Sequence, residues 1–208
     1  HGPNNDGCDP EYSKNVHITN CLFNTGDDCI AIKSGRNEDG RRVNIPSENI
    51  VVENCEMKDG HGGVVMGSEI SAGVRNVYVR NCKMDSPNLD RVIRIKTNTL
   101  RGGFVDGVYV KDVEVGAVKE AVLKVNTHYG IYANQEGEFM PSIKNIYLKN
   151  VTVENGGEYG VLIKGREKAI VENVNLEDVI IKGVEKPESV EYSENVNYIN
   201  TVINDKRM

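Results

Sequence analysis

Tryptophan is absent and phenylalanine occurs only three times, so no core built on large rings is available. Apolar residues of all kinds reach 38%. With so little bulk, a helical bundle is disfavoured and many short strands are favoured. No apolar run is long enough to cross a bilayer as a helix. Cys-x-x-Cys and His-rich pairs are missing, so no zinc site is expected. Five cysteines cannot all pair within one chain. A leader pattern is missing too. The chain opens on His1-Gly2-Pro3 in a turn-like stretch, so any signal peptide is expected upstream. An excess of positive charge is also lacking. The net charge of −6 argues against a general polyanion binder, and a basic patch would have to be local. Neither nucleic acid nor a membrane is expected as a partner.

What is present is glycine, at 21 positions, and a repeat. Asn15-Val-His-Ile-Thr-Asn-Cys21 is followed by Asn49-Ile-Val-Val-Glu-Asn-Cys55 and Asn76-Val-Tyr-Val-Arg-Asn-Cys82. Weaker copies start at Gly107, Asn145, Asn173 and Asn195. Each alternates apolar and polar residues, the strand period of two. The Asn or Asp in mid-copy suits a bend between short strands. Cys21, Cys55 and Cys82 share one repeat position and are expected to form an inward ladder of small hydrophobes.

A second strand type lies between the copies: residues 29–34, 63–68, 92–97, 122–127 and 160–165. Helical periodicity is absent. Strands recurring every 20 to 40 residues or so predict a solenoid. The fold expected is all-β, a right-handed single-stranded parallel β-helix over residues 1–208. A β-propeller would need antiparallel blades with tight hairpins, and no Asn-Gly or Asp-Gly hairpin turn recurs between these strands. No capping element precedes the first acidic turn. The chain is therefore expected to be the C-terminal portion of a longer catalytic domain.

Stacking the copies aligns the chemistry. Asn4-Asn5-Asp6-Gly7, Gly26-Asp27-Asp28, Asp59-Gly60-His61-Gly62 and Arg94-Ile-Lys96 fall on successive rungs of one edge, and Tyr129 continues it. Adjacent aspartates resist joint ionisation and make poor strands, so local structure does not ask for them. Their side chains point to opposite faces unless the backbone bends between them. Taken singly, each signal has a bland reading. Paired aspartates are usually a solvated turn, Arg-Ile-Lys an exposed strand face, and one Tyr simple packing. Clustered carboxylates suit glycoside hydrolysis, in which one carboxylic acid protonates the leaving oxygen and another activates water. Crowding of acids is expected to favour the protonated form of one of them, and the nearby cations suit an acidic sugar. An inverting arrangement is expected to place Asp27 roughly 6.5–9.5 Å from Asp6 and Asp28.

The order Asn-x-Asp-Gly, Gly-Asp-Asp, Gly-His-Gly, Arg-Ile-Lys resembles the polygalacturonase family of pectin hydrolases, glycoside hydrolase family 28. The resemblance runs from Gly2 to about Gly165. It implies a β-helix and inverting cleavage of α-1,4-galacturonosidic bonds. By that likeness Asp27 is the general acid, and Asp6 and Asp28 hold and deprotonate the water. His61 supports the acid, while Asn4, Arg94, Lys96 and Tyr129 bind galacturonate. The stretch Ser34-Gly-Arg-Asn-Glu-Asp-Gly-Arg-Arg42 resembles the bacterial exo-acting branch. Its Arg36, Arg41 and Arg42 are expected to grip an acidic chain end; the bland reading is a mobile solvated loop. The resemblance also implies a secreted or periplasmic location, no cofactor and no metal. The competing readings are a rhamnogalacturonan or xylogalacturonan hydrolase, a non-catalytic β-helix that binds acidic polysaccharide, and an inert fragment. Three acids in a groove would repel a polyanion that was merely bound.

Overall fold

The computed structural model describes residues 2–130 and 136–208. In chain order the first elements are β1 (Lys14–Thr19), β2 (Leu22–Phe23), β3 (Asp28–Ile32), α1 (Asn37–Val43), β4 (Ser47–Glu53) and β5 (Glu56–Met57). Next come β6 (Gly62–Gly67), β7 (Val74–Met84), β8 (Arg91–Lys96), β9 (Phe104–Ala117), β10 (Ala121–Asn126) and β11 (Ser142–Asn155). The last are β12 (Gly157–Lys164), β13 (Val171–Ile181), β14 (Val184–Glu191), β15 (Ser193–Ile199), β16 (Val202–Ile203) and β17 (Lys206–Arg207). They form a right-handed parallel β-helix of two facing sheets. The six-stranded sheet runs β14-β12-β10-β8-β6-β3, and the repeat copies make the eleven-stranded sheet. Only the terminal β16–β17 pairing of named strands is antiparallel.

The register follows the repeat. Val77 pairs with Ile50 and Val108, and Val79 with Val52 and Val110, so like side chains stack inward from turn to turn. On the facing sheet Ile93, Leu123 and Val161 form another inward row. All of these are fully or almost fully buried. No single turn could enclose such a row; stacking at about 4.8 Å removes it from water. Cys55 and Cys82 are buried in this way, as expected. Cys21, in the first described turn, is exposed.

The mid-copy residues set the corners. Asn20, Asn54, Asn81, Asp112, Asn150, Asp178 and Asn200 all have φ between 47° and 55°. Asn and Asp reach this left-handed region more cheaply than other non-glycine residues. Asparagines at the start of the first three copies hydrogen-bond from turn to turn: Asn49 Nδ2 donates to Asn15 Oδ1 at 3.0 Å, and Asn76 Nδ2 to Asn49 Oδ1 at 3.1 Å. These bonds help fix the register, which decides what meets at the opposite edge. Among the described residues helical structure enters once: the charged insert after β3 folds as α1, where only an irregular loop was expected.

Asn81→Ala forces alanine into the left-handed corner. It is expected to lower stability by about 1–2 kcal/mol, with Asn81→Gly costing less. Urea-denaturation midpoints followed by circular dichroism check both; equal losses would remove the backbone argument.

Candidate active site

Three acids converge where the six-stranded sheet begins. Asp6 precedes the first turn, Asp27 lies in the bend before β3, and Asp28 is the first residue of β3. Because strand geometry starts only at Asp28, the alternation of faces does not separate the pair. Backbone bonds fix the bend: Asp27 N–H donates to Asn5 O at 3.1 Å and His61 N–H to Asp27 O at 3.0 Å. Each of the three carboxylates brings an oxygen within 4.8 Å of the other two. The bend turns both members of the pair toward Asp6.

Each acid has a different partner. Asp6 accepts the Asp28 N–H at 3.0 Å and the Lys33 ammonium at 3.0 Å. Asp27 Oδ1 lies 2.8 Å from His61 Nδ1. Asp28, only 2% exposed, accepts Lys96 Nζ at 2.7 Å and an Arg94 guanidinium N–H at 3.4 Å. The groups are thus differentiated by hydrogen bonding, which lets neighbouring carboxyls take different tasks. The cluster is compact enough to hold a cation, but Lys33, Lys96 and Arg94 already supply positive charge to two of its acids.

The cations carry the marks of a partly dry site. Burial pulls both Arg94 and Lys96 below their ordinary values, although Asp28 opposes it in each. Burial would pull Lys33 down too. Its hydrogen bonds to Asp9 and Asp6 outweigh that and hold it above the ordinary lysine value. Tyr129 covers the pair, its ring centre 5.3 Å from Lys96 Nζ and 5.5 Å from the Arg94 guanidinium carbon, within cation–π range. Burial pushes its phenol up, against the pull of Arg94. The strand register places Arg94 beside Val65 and Lys96 beside Gly67, the rows expected from sequence. At Gly67, φ is 118° and an added Cβ would sit 1.9 Å from Lys96 O, so no larger residue fits beneath the lysine.

Other residues are placed differently. Asn4 is exposed in a left-handed turn with φ 60°, while Asn5 is the residue fastened to Asp27. Arg41 is turned to structure: its guanidinium packs 3.5 Å over Phe139 and donates to Leu100 O at 2.8 Å and Arg101 O at 3.2 Å. This corrects the expectation that it grips substrate, because its Nη1 group and its flat face are already engaged. Arg36 sits 3.7 Å from Glu69, and Arg42 bonds Asp39 within α1; both are well exposed. Arg101 in turn donates to Asn37 Oδ1 at 2.6 Å, tying α1 to the loop after β8. Sequence reasoning missed Lys33 as a site member, although it stood in the column of Gly67 and Lys96. It also missed Arg91, Glu120 and Lys124, which carry no motif of their own.

Comparison with known proteins bears on this arrangement. A solved exopolygalacturonase from Thermotoga maritima is similar over 100% of the chain, with 40% identity and a TM-score of 0.93, and the match covers 46% of that protein. A family 28 exopolygalacturonase from Yersinia enterocolitica is similar over 95% of the chain and 36% of its own, at 25% identity and a TM-score of 0.78. By sequence, an endo-polygalacturonase of Pectobacterium parmentieri is 35% identical over 156 residues, 74% of this chain and 35% of that protein. A probable polygalacturonase of Vitis vinifera is 31% identical over 74% of the chain and 31% of its own length. The chain therefore spans about a third of the length of these sequence relatives. The sequence pattern described as glycosyl hydrolases family 28 matches residues 1–202. The chain belongs to glycosyl hydrolases family 28.

Proposed function

We propose that these residues form the hydrolytic site of a polygalacturonase, cleaving α-1,4-galacturonosidic bonds with inversion. The observation that carries the reading is the trio of carboxylates with separate partners beside two buried cations under Tyr129. Asp27 is the general acid. His61 fixes one of its oxygens at 2.8 Å, which leaves the other to carry the proton to the leaving oxygen. Asp6 and Asp28 are held by Lys33, Lys96 and Arg94, and this suits them to orient and deprotonate a water rather than to attack carbon. Lys96 and Arg94 bind the sugar carboxylate, with Tyr129 lining the same position. No step in this scheme requires a cofactor.

The exo mode is part of the proposal. Helix α1, anchored through Arg41 and Arg101, forms a fixed wall beside the end of β8 rather than a mobile loop. Arg36 and Arg42 remain exposed on it to meet an acidic chain end. The two solved exopolygalacturonases named above are similar over nearly all of the chain, which supports the same mode here. The substrate is a pectic polysaccharide, and a secreted or periplasmic location follows from that substrate and the family. No helix among the described residues is long and apolar enough to cross a membrane.

Asp27→Asn is expected to lower kcat by about 10²–10⁴-fold while leaving polygalacturonate binding in place. Reducing-end release and equilibrium binding measure the two halves. Lost binding with unaltered residual turnover would remove Asp27 from the acid role.

Proton NMR of the first product formed in the wild type is expected to show the inverted anomer. A retained anomer would mean that a carboxylate attacks carbon instead of activating water.

Early digests are expected to contain galacturonate or digalacturonate while viscosity falls slowly. A ladder of mixed oligomers with rapid viscosity loss would mean an open cleft.

A further inference from the structure

Arg91 lies outside every motif, three residues before Arg94, yet its side chain is only 14% exposed. Both ends of its guanidinium are engaged. One NH2 group donates to His61 O at 3.0 Å and to Asp90 Oδ2 at 3.0 Å. The other contacts Glu120, whose second oxygen bonds Lys124. Burial works to raise the Glu120 carboxyl, but Lys124 and Arg91 outweigh it and hold Glu120 below its ordinary value. The acid stays charged, and Arg91 stays clamped between Asp90 and Glu120.

The backbone beneath is stitched in the same direction. Asp90 N–H donates to Gly60 O at 2.8 Å, and Glu120 N–H to Asp90 O at 2.8 Å. Gly60 has φ 155°, and an added Cβ would lie 2.7 Å from Asp27 O, so this corner cannot thicken. The His61 peptide is then gripped from both sides, its N–H by Asp27 O and its C=O by Arg91. Its imidazole is 47% exposed, and its one hydrogen bond among the described residues is the one to Asp27. A half-exposed ring keeps a fixed rotamer only if its backbone cannot shift.

We propose that Arg91, clamped by Asp90 and Glu120, is a positioning residue that fixes the His61 peptide and thereby holds the imidazole against Asp27. Its bond to the His61 carbonyl separates it from Arg94 and Lys96, which hold Asp28: it acts through His61 rather than on the sugar. The inference rests on the hydrolase reading for its kinetic consequence, but not for its geometry.

Two measurements test it in the whole protein. In kinetics, Arg91→Gln is expected to lower kcat roughly 10- to 100-fold with little change in KM, since small misplacements of a catalytic group cost that much. Arg91→Lys, which keeps one donor and the charge, recovers part of the loss. In a His61→Ala background, adding Arg91→Gln changes the rate by less than about twofold, because two residues acting as one unit do not add. Losses that multiply, or a rise in KM with unchanged kcat, would overturn the proposal. Should Arg91→Gln fail to fold, Glu120→Gln loosens the same clamp and is read identically.

The second readout needs no turnover. The ¹⁵N shifts of the His61 ring are expected to respond to Asp27→Asn in the parent but not in the Arg91→Gln protein. An equal response in both overturns the proposal. If the parent itself releases no reducing ends from polygalacturonate, the hydrolase reading fails, and the NMR comparison still decides the role of Arg91.

Discussion

Asp28 and Lys96 are 68 residues apart in the chain and 2.7 Å apart at their charged atoms. Nothing local joins them. They meet because β3, β6 and β8 stack in parallel with no slip: Asp28 beside Gly62, Val65 beside Arg94, Gly67 beside Lys96. A slip of one residue along β8 would turn Arg94 and Lys96 into the core and bring Ile93 and Ile95 outward. The site therefore depends on register, and register depends on the left-handed corners and the asparagine ladder on the far sheet. Chemistry on one face is thus held by backbone geometry on the other.

The electrostatics of the site follow from the same stacking. Taking Asp28 out of water is costly unless it is paired and fully hydrogen-bonded. Lys96 and Arg94 pair it, and their own depressed values show that burial weighs on them as well. Asp6 has instead a partly exposed lysine and a backbone N–H, and Asp27 an imidazole. Three identical side chains thus meet three environments within 4.8 Å. That difference, more than the number of acids, is what acid–base chemistry requires.

The insert after β3 shows how a charged stretch can be misjudged from its charges alone. Three arginines against two acids suggested a flexible grip on substrate. In the fold Arg41 packs on Phe139 and binds backbone carbonyls, and Arg101 returns a bond to Asn37, so α1 is tied to the loop after β8. The planar guanidinium serves both roles equally well, and only its neighbours decide between them. Phe139 is 98 residues from Arg41, which is why no window of sequence revealed the contact.

The solenoid and the family were legible in the sequence. Repeats of period-two strands with Asn or Asp at fixed offsets define a stacked β fold, because only stacking buries such rows. Asp6, Asp27, Asp28, His61, Arg94, Lys96 and Tyr129 came together in the order that their rungs required. The tertiary structure decided what periodicity does not encode. It closed the Asp27–Asp28 pair onto Asp6 through a backbone bend just before the strand begins. It also recruited Lys33 to Asp6, and Arg91 to the His61 carbonyl. Those contacts run from side chain to side chain, or from side chain to backbone, between turns. Their partners lie tens of residues away and are set by bends and rotamers rather than by residue type, so the sequence holds the residues and only the folded chain pairs them.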